Sequence, residues 1–392
     1  MRKVAIIQYL GFIIESAMDD FQVFVKPVGA ACNLGCQYCY YLEKQQLYPD
    51  KQGFCMPDDL LEEYIIQHIK ASSGPEIFFS WHGGEPTLAG LQFFKRVVEL
   101  QKKQVPENWI VINGLQTNGT LLNQEWCRFL KEEHFVVGIS LDGPENIHSI
   151  FRFRKDGKAC FDDVIRGYRL LRQYGIPCVI LCVVSSASVG YPLEIYRYFK
   201  HLKVEFITFL PLVEKGTSTG QRISEHTVNA KAFGEFLCTI FDEWKTTDIG
   251  TLKIQLFEEA LRTAFGLDHT LCIFKKICGG VPVVEHNGDF YSCDHFVNEE
   301  HLLGNIRKTS LPRLLESPEQ KDFGLAKLIN LPDYCLKCEV REMCNGACPK
   351  DRFIKTRAGE EGLNYLCEGY KLFFNHCKPF VEQVKSMASK RS

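Results

Sequence analysis

Lys26-Pro27-Val28-Gly29-Ala30-Ala31-Cys32-Asn33-Leu34-Gly35-Cys36-Gln37-Tyr38-Cys39-Tyr40-Tyr41 sets three cysteines in the order C-x3-C-x2-C within one short loop. A loop this tight aims three thiolates at a single point. A cubic [4Fe–4S] cluster takes one ligand per iron, and Cys thiolate is the usual one, so three thiolates leave one iron open to something other than protein. The competing reading is a zinc knuckle, which needs a fourth ligand close by. No His stands near in sequence, and the next thiol, Cys55, lies beyond a charged run.

The rest of the composition narrows the field. The 392 residues suffice for a catalytic domain and a smaller one. A formal charge of −2 gives no basic face for nucleic acid. Eighteen cysteines, clustered in a chain of this size, read as metal ligands rather than as a disulfide framework. The apolar run from Val4 to Ile14 carries Gln8, is too short to span a bilayer and lacks a convincing cleavage site. Residues 1–20 are therefore read as an extension, and the protein as cytoplasmic with no membrane partner.

From Phe21 to about Pro211, β-rich runs alternate with amphipathic stretches. The runs are Phe21–Lys26, Glu76–His82, Trp109–Thr117, Val136–Ser140, Pro177–Val184 and Glu205–Leu210. Between the first two, Leu60, Leu61, Tyr64, Ile65 and Ile69 recur at helical spacing after Pro57-Asp58. Six β–α units in series predict a mainly parallel α/β sheet with right-handed crossovers and function at the carboxyl ends of its strands. Glycine-bearing polar segments follow the runs there: His82-Gly83-Gly84-Glu85-Pro86, Thr117-Asn118-Gly119-Thr120 and Ser140-Leu141-Asp142-Gly143-Pro144. Gly83-Gly84 is expected to let backbone approach a ligand with no Cβ in the way. From Ser224 to Phe265 the pattern is helical, with Phe233, Phe236, Leu237, Ile240 and Phe241 as a core stripe.

The cysteine loop, with Tyr38 before its last thiol, resembles that of the radical S-adenosylmethionine (SAM) enzymes. The resemblance implies a partial (β/α)6 barrel whose cluster, on Cys32, Cys36 and Cys39, chelates SAM through its open iron. It also implies SAM contacts from Tyr38, the Gly84 edge, Ser140, Arg152 and, after the sixth strand, the Val213 backbone. Arg152 is expected to meet the SAM carboxylate as a bidentate fork.

Beyond Leu271 the cysteines crowd again, as Cys272, Cys278, Cys293, Cys335, Cys338, Cys344, Cys348 and Cys367. Eight thiols suffice for two fully ligated [4Fe–4S] clusters or two four-cysteine zinc sites. The run Cys335-x2-Cys338-x5-Cys344-x3-Cys348 resembles the SPASM extension of radical SAM enzymes that modify peptides. That resemblance implies interleaved sets, one of Cys272, Cys278, Cys293 and Cys348, the other of Cys335, Cys338, Cys344 and Cys367. The remaining seven cysteines, Cys55, Cys127, Cys160, Cys178, Cys182, Cys238 and Cys377, read as buried thiols. Asp294, beside Cys293, reads locally as a turn aspartate.

Several segments together sharpen the match: Trp81 to Gly90, Leu115 to Leu121, Tyr291 to Phe296, Cys344 to Lys350 and Leu363 to Cys367. From about Gln22 to the C-terminal helix the chain resembles the anaerobic sulfatase-maturating enzymes. The resemblance implies 21–223 as the radical SAM barrel, 224–270 as a helical connector and 271–392 as the SPASM domain. It implies three [4Fe–4S] clusters, SAM, and Asp294 as the base that takes the substrate proton. The partners it implies are an unfolded sulfatase segment with a Cys/Ser-x-Pro/Ala-x-Arg motif and a low-potential electron donor such as flavodoxin or ferredoxin. Two other readings stand beside it: a SPASM enzyme that crosslinks a small precursor peptide, and a zinc-binding scaffold without SAM turnover.

Overall fold

The six β-rich runs form β1 (Phe24–Lys26), β2 (Glu76–Trp81), β3 (Ile110–Thr117), β4 (Val136–Ser140), β5 (Cys178–Val184) and β6 (Phe206–Pro211) in a computed structural model that describes residues 21–48, 55–216 and 223–389. The extension read at 1–20 lies outside these residues. The strands pair in parallel in chain order. Parallel neighbours need a long crossover, and each carries a helix: α1 (Asp58–Ala71), α2 (Leu91–Gln104), α3 (Gln124–Glu132), α4 (Phe161–Gln173) and α5 (Pro192–His201).

Helical spacing sets what each crossover buries. Leu60, Leu61, Tyr64 and Ile65 of α1 and Phe94, Val97 and Val98 of α2 are all buried. Trp81 packs between the two helices, its ring 6.1 Å from Tyr64 and 5.9 Å from Phe94. Truncating such a side chain costs about 3–5 kcal/mol. Strand alternation then turns Phe24 and Lys26 to the face away from the helices, where the His82 ring stacks on Phe24 at 5.0 Å.

The sheet does not end with this barrel. Four more strands, β7 (Lys253–Ile254), β8 (Val283–Glu285), β9 (Asp289–Tyr291) and β10 (Leu302–Asn305), give the full order β10-β9-β8-β1-β2-β3-β4-β5-β6-β7. Strand β8 runs parallel to β1, and β9 and β10 follow antiparallel. A three-residue turn joins β8 to β9, with Gly288 at φ +91. That hairpin carries Cys293 and Asp294 to the side of β1.

One expectation changes. The 224–265 stretch is not wholly helical: β7 (Lys253–Ile254) lies parallel to β6 between α6 (Ala230–Thr247) and α7 (Gln255–Arg262). Two residues are too few for periodicity to reveal. A C-terminal helix, α9 (Cys367–Ser389), crosses α6 at a glycine pair, after α8 (Pro318–Ile329). A Cβ on Gly369 would stand 2.0 Å from the Ala230 carbonyl, and one on Gly234 would stand 2.6 Å from that of Gly369. Of the seven cysteines read as buried thiols, Cys127, Cys160, Cys182 and Cys377 are buried, Cys178 and Cys238 are partly so, and Cys55 is exposed.

Candidate active site

The cysteine loop is fastened on two sides. Gly35 and Gln37 donate to the carbonyls of Phe153 and Phe151, at 2.9 and 3.0 Å. On the other side Glu85 donates its N–H to Ala31 at 2.8 Å, and Gly84 donates to Gly29 at 2.9 Å. A Cβ on Gly84 would lie 2.1 Å from the Ala31 carbonyl. The glycine is thus required by packing of backbone on the cysteine loop itself, rather than only by approach of a ligand.

Glu85 is fully buried and joins two strand ends. Its carboxylate accepts from the Thr87 N–H and hydroxyl at 3.1 and 2.6 Å, the Thr117 hydroxyl at 2.7 Å and the Asn118 N–H at 2.7 Å. Asn118 in turn donates to Asn33 at 2.9 Å and stands 3.8 Å from the Cys32 sulfur. The Leu34 N–H also points at that sulfur, at 3.4 Å. Burial pushes the Cys32 thiol up to about 12, with the charges of Glu85, Cys36 and Cys39 adding to the effect. A bare thiolate is therefore disfavoured here, whereas a coordinated iron–sulfur core removes the proton outright. The three thiols and their N–H donors fit a cluster.

Tyr38 and Arg152 come together over Asp142. The Arg152 guanidinium lies 5.3 Å from the Tyr38 ring, and the Tyr38 hydroxyl donates to Asp142. Arg152 donates to Asp142 through Nε at 2.8 Å and Nη2 at 3.3 Å. The fork expected to face a SAM carboxylate is thus already engaged, because a buried Asp142 needs a compensating cation. Ser140 accepts from Gln116 at 3.2 Å. Leu212 packs with Tyr38 and Phe151, and the neighbouring Val213 carbonyl accepts from Lys350 at 3.2 Å.

Asp294 lies in a different arrangement from a turn aspartate. Lys26 Nζ is 2.5 Å from Oδ1, and the Tyr40 hydroxyl donates to Oδ2 at 2.5 Å. Lys26 is fully buried, 4.4 Å from the Tyr41 ring centroid, and its Nζ is 3.1 Å from His82 Nδ1. That nitrogen also accepts the Gly83 N–H at 2.8 Å, which assigns the proton of a neutral His82 to Nε2. Burial, reinforced by the Lys26 charge, holds His82 down to about 3. For Asp294, burial alone would raise the carboxyl, but Lys26, with His82 and His295, carries it well below the usual carboxylate range. The result is an ionised carboxylate beside Cys293. Sequence reading found Asp294 but missed Lys26, Tyr40 and His82. The available signal was a lysine ending the otherwise apolar strand Phe24–Lys26.

The C-terminal thiols separate into two neighbourhoods. Cys335, Cys338, Cys344 and Cys367 line one cavity, together with Tyr334, Asn364 and Lys371. Burial pushes Cys344 and Cys367 each up to about 12, and charge on the other thiols of this group pushes further. Burial raises the Cys293 and Cys272 thiols, with the charges of Cys348 and Cys272 adding at Cys293 and that of Cys278 adding at Cys272. All eight thiols are free of disulfides. Among the described residues no three His, Cys, Asp or Glu side chains converge at the spacing of a single ion. The donor set and the cavity fit larger groups held through several irons.

Two family models match the chain: the radical SAM superfamily over residues 27–200, and the SPASM iron–sulfur cluster-binding domain over 278–339. A serine-type anaerobic sulfatase-maturating enzyme of Bacteroides thetaiotaomicron is 42% identical over 376 residues, covering 93% of this chain and 91% of that one. A cysteine-type counterpart from Clostridium perfringens is 33% identical over 373 residues, covering 94% and 99%. The solved structure of native anSMEcpe with bound AdoMet and Cp18Cys peptide superposes with a TM-score of 0.83 at 32% identity, covering 93% of this chain and 99% of that one. The chain therefore belongs to the anaerobic sulfatase-maturating enzymes, a family of radical SAM proteins carrying a C-terminal SPASM domain.

Proposed function

We propose that this enzyme oxidises a Cys or Ser within a Cys/Ser-x-Pro/Ala-x-Arg segment of an unfolded sulfatase to Cα-formylglycine, with Asp294 as the base. The observation that carries this reading is the Asp294 carboxylate, buried and held ionised against Lys26 at 2.5 Å beside Cys293. Bound SAM and the three [4Fe–4S] clusters supply hydrogen-atom abstraction from the target Cβ and a sink for one electron. Cys32, Cys36 and Cys39 hold the SAM-binding cluster. Cys272, Cys278, Cys293 and Cys348 hold one auxiliary cluster, and Cys335, Cys338, Cys344 and Cys367 hold the other.

Asp294 Oδ2 takes the thiol or hydroxyl proton, displacing the Tyr40 hydrogen bond that occupies it. Lys26 keeps Oδ1, so the carboxylate stays oriented through the transfer. Loss of a hydrogen atom from Cβ, a proton to Asp294 and an electron to the sink leaves a C=S or C=O bond. A thioaldehyde then takes up water and releases hydrogen sulfide. The Gly84 edge, Tyr38, Ser140, Arg152 and the Val213 N–H position SAM.

A low-potential donor such as flavodoxin or ferredoxin supplies the electrons. The division at 21–223, 224–270 and 271–392 suits this reading, since β1 to β6 lie in the first part and all eight proposed auxiliary-cluster cysteines lie in the last. Among the described residues no helix is long and apolar enough to cross a membrane. Cytoplasmic work on a nascent sulfatase is the setting these clusters suit.

The test is anaerobic turnover of the reconstituted protein with SAM, a reductant and matched Cys-x-Pro-x-Arg and Ser-x-Pro-x-Arg peptides. Formylglycine in either peptide, 5′-deoxyadenosine and roughly twelve irons per chain (~4 for each of three cubanes) are the expected result. Deoxyadenosine with both peptides unchanged would move the substrate elsewhere. Zinc in place of iron would end the reading.

A further inference from the structure

Arg352 lies between the two C-terminal thiol neighbourhoods and belongs to no ligand set. Its guanidinium is spent on backbone: Nε donates to Gly346 at 2.9 Å, Nη1 to Lys327 at 2.6 Å, and Nη2 to Asn345 and Ala347 at 3.0 and 3.3 Å. Three of those carbonyls belong to the loop between Cys344 and Cys348, whose ends supply one thiol to each set. The loop is left-handed throughout, with φ of +47 at Asn345, +71 at Gly346 and +51 at Ala347. Such a run disfavours side chains, and Ala347 adopts it only where surroundings fix it. Arg352 and the Asn345 amide, which donates to the Phe274 carbonyl at 2.8 Å, are those surroundings.

The charge of Arg352 is as well placed as its donors. It is felt by Cys335 and Cys344 of one set and by Cys278 and Cys348 of the other. Lys327 makes a contrast. It is buried, donates to the carbonyls of Cys272 and Ile273 at 2.9 and 2.8 Å, and its charge acts chiefly on Cys278, Cys272 and Cys348, all of one set. A four-thiolate cubane is anionic and becomes more so on reduction, and net charge and hydrogen bonding set its potential. A fixed cation in a poorly solvated setting stabilises the reduced form.

We propose that Arg352 is a positioning residue shared by both auxiliary clusters, fixing the Cys344–Cys348 loop that links them and making both easier to reduce. This rests on the ligand sets proposed above.

The experiment is an EPR-monitored redox titration of the reconstituted full chain with SAM present, which marks the signal of the cluster that binds it. Iron and sulfide are measured on each sample. Arg352→Gln should shift both auxiliary midpoints to more negative potential, and Arg352→Lys should recover most of the shift. Lys327→Met should shift only the cluster of the Cys272 set. Fully loaded Arg352→Gln with unchanged midpoints overturns the proposal. So does a shift confined to one cluster. If Arg352→Gln loses iron, Arg352→Lys decides: wild-type iron and midpoints support the shared cation, and equal iron loss overturns it in favour of simple loop support. Wild-type protein holding only ~4 irons would instead defeat the ligand sets themselves.

Discussion

Lys26 and Asp294 are 268 residues apart in sequence, yet their Nζ and Oδ1 atoms stand 2.5 Å apart in a buried ion pair. The strand pairing β1–β8 makes this possible, by laying the hairpin that leads to Asp294 along the edge of the barrel. Removing the cation while keeping the bulk, as in Lys26→Met, leaves burial as the dominant influence on Asp294. The carboxyl then rises, so the acid limb of aldehyde formation moves to higher pH. Because the present carboxylate is ionised far below neutrality, wild-type activity should show no such limb near pH 5–7. At neutral pH the variant should lose about 10²-fold in formylglycine, the scale of general-base loss, while deoxyadenosine production continues. A wild-type pH profile in Lys26→Met would remove the lysine from the mechanism.

Asp294→Asn tests the base directly. The amide keeps the shape and retains an oxygen toward Lys26, but it has no proton affinity at working pH. SAM cleavage should survive and most aldehyde formation should not. Peptide mass spectrometry beside a deoxyadenosine assay separates the two, and wild-type product yield would assign the proton to another group.

The barrel was legible because each of its signals is local. The six runs match β1 to β6 within a residue or a few at their ends, and Leu60, Tyr64 and Ile65 fall on the buried face of α1 as their spacing requires. What escaped was long-range. The β8–β9 hairpin carries Asn287-Gly288 at its turn, between Val283-Val284 and Phe290-Tyr291, yet nothing local says it docks on β1. Lys26, Tyr40 and His82 look unremarkable until that docking brings Asp294 among them. The pairing of the Arg152 fork escaped for a related reason: Asp142, the carboxylate it meets, is ten residues upstream across a turn.

Gly84→Ala puts a methyl group where 2.1 Å separates the Cβ position from the Ala31 carbonyl. Backbone has to move, and what moves is the loop bearing Cys32. The two C-terminal thiol neighbourhoods lie elsewhere and should load normally. Reconstituted Gly84→Ala is expected to hold roughly eight irons instead of roughly twelve, counting ~4 per cubane, with SAM binding lost. Full iron and unimpaired SAM affinity would show that the loop tolerates the shift.

His68 gives the fold a pH dependence separate from the chemistry. It is buried on α1, with the Tyr64 hydroxyl 3.0 Å from Nδ1 and the Phe79 ring at 4.4 Å. Burial depresses it from 6.5 to about 4. Below pH 6.5 the unfolded chain binds a proton that the folded chain refuses, so stability is full above that value and falls as pH drops toward 4. By pH 5 this one group should cost about 2 kcal/mol. His68→Gln loses packing at pH 7.5 but has nothing to titrate. The stability gap between wild type and variant, from anaerobic denaturant unfolding, should therefore narrow by about 2 kcal/mol between pH 7.5 and pH 5. His82, His148 and His295, which burial also depresses, are present in both proteins and cancel. A gap that stays constant across that range would mean His68 is protonated in the folded state, with Tyr64 rather than burial deciding its charge.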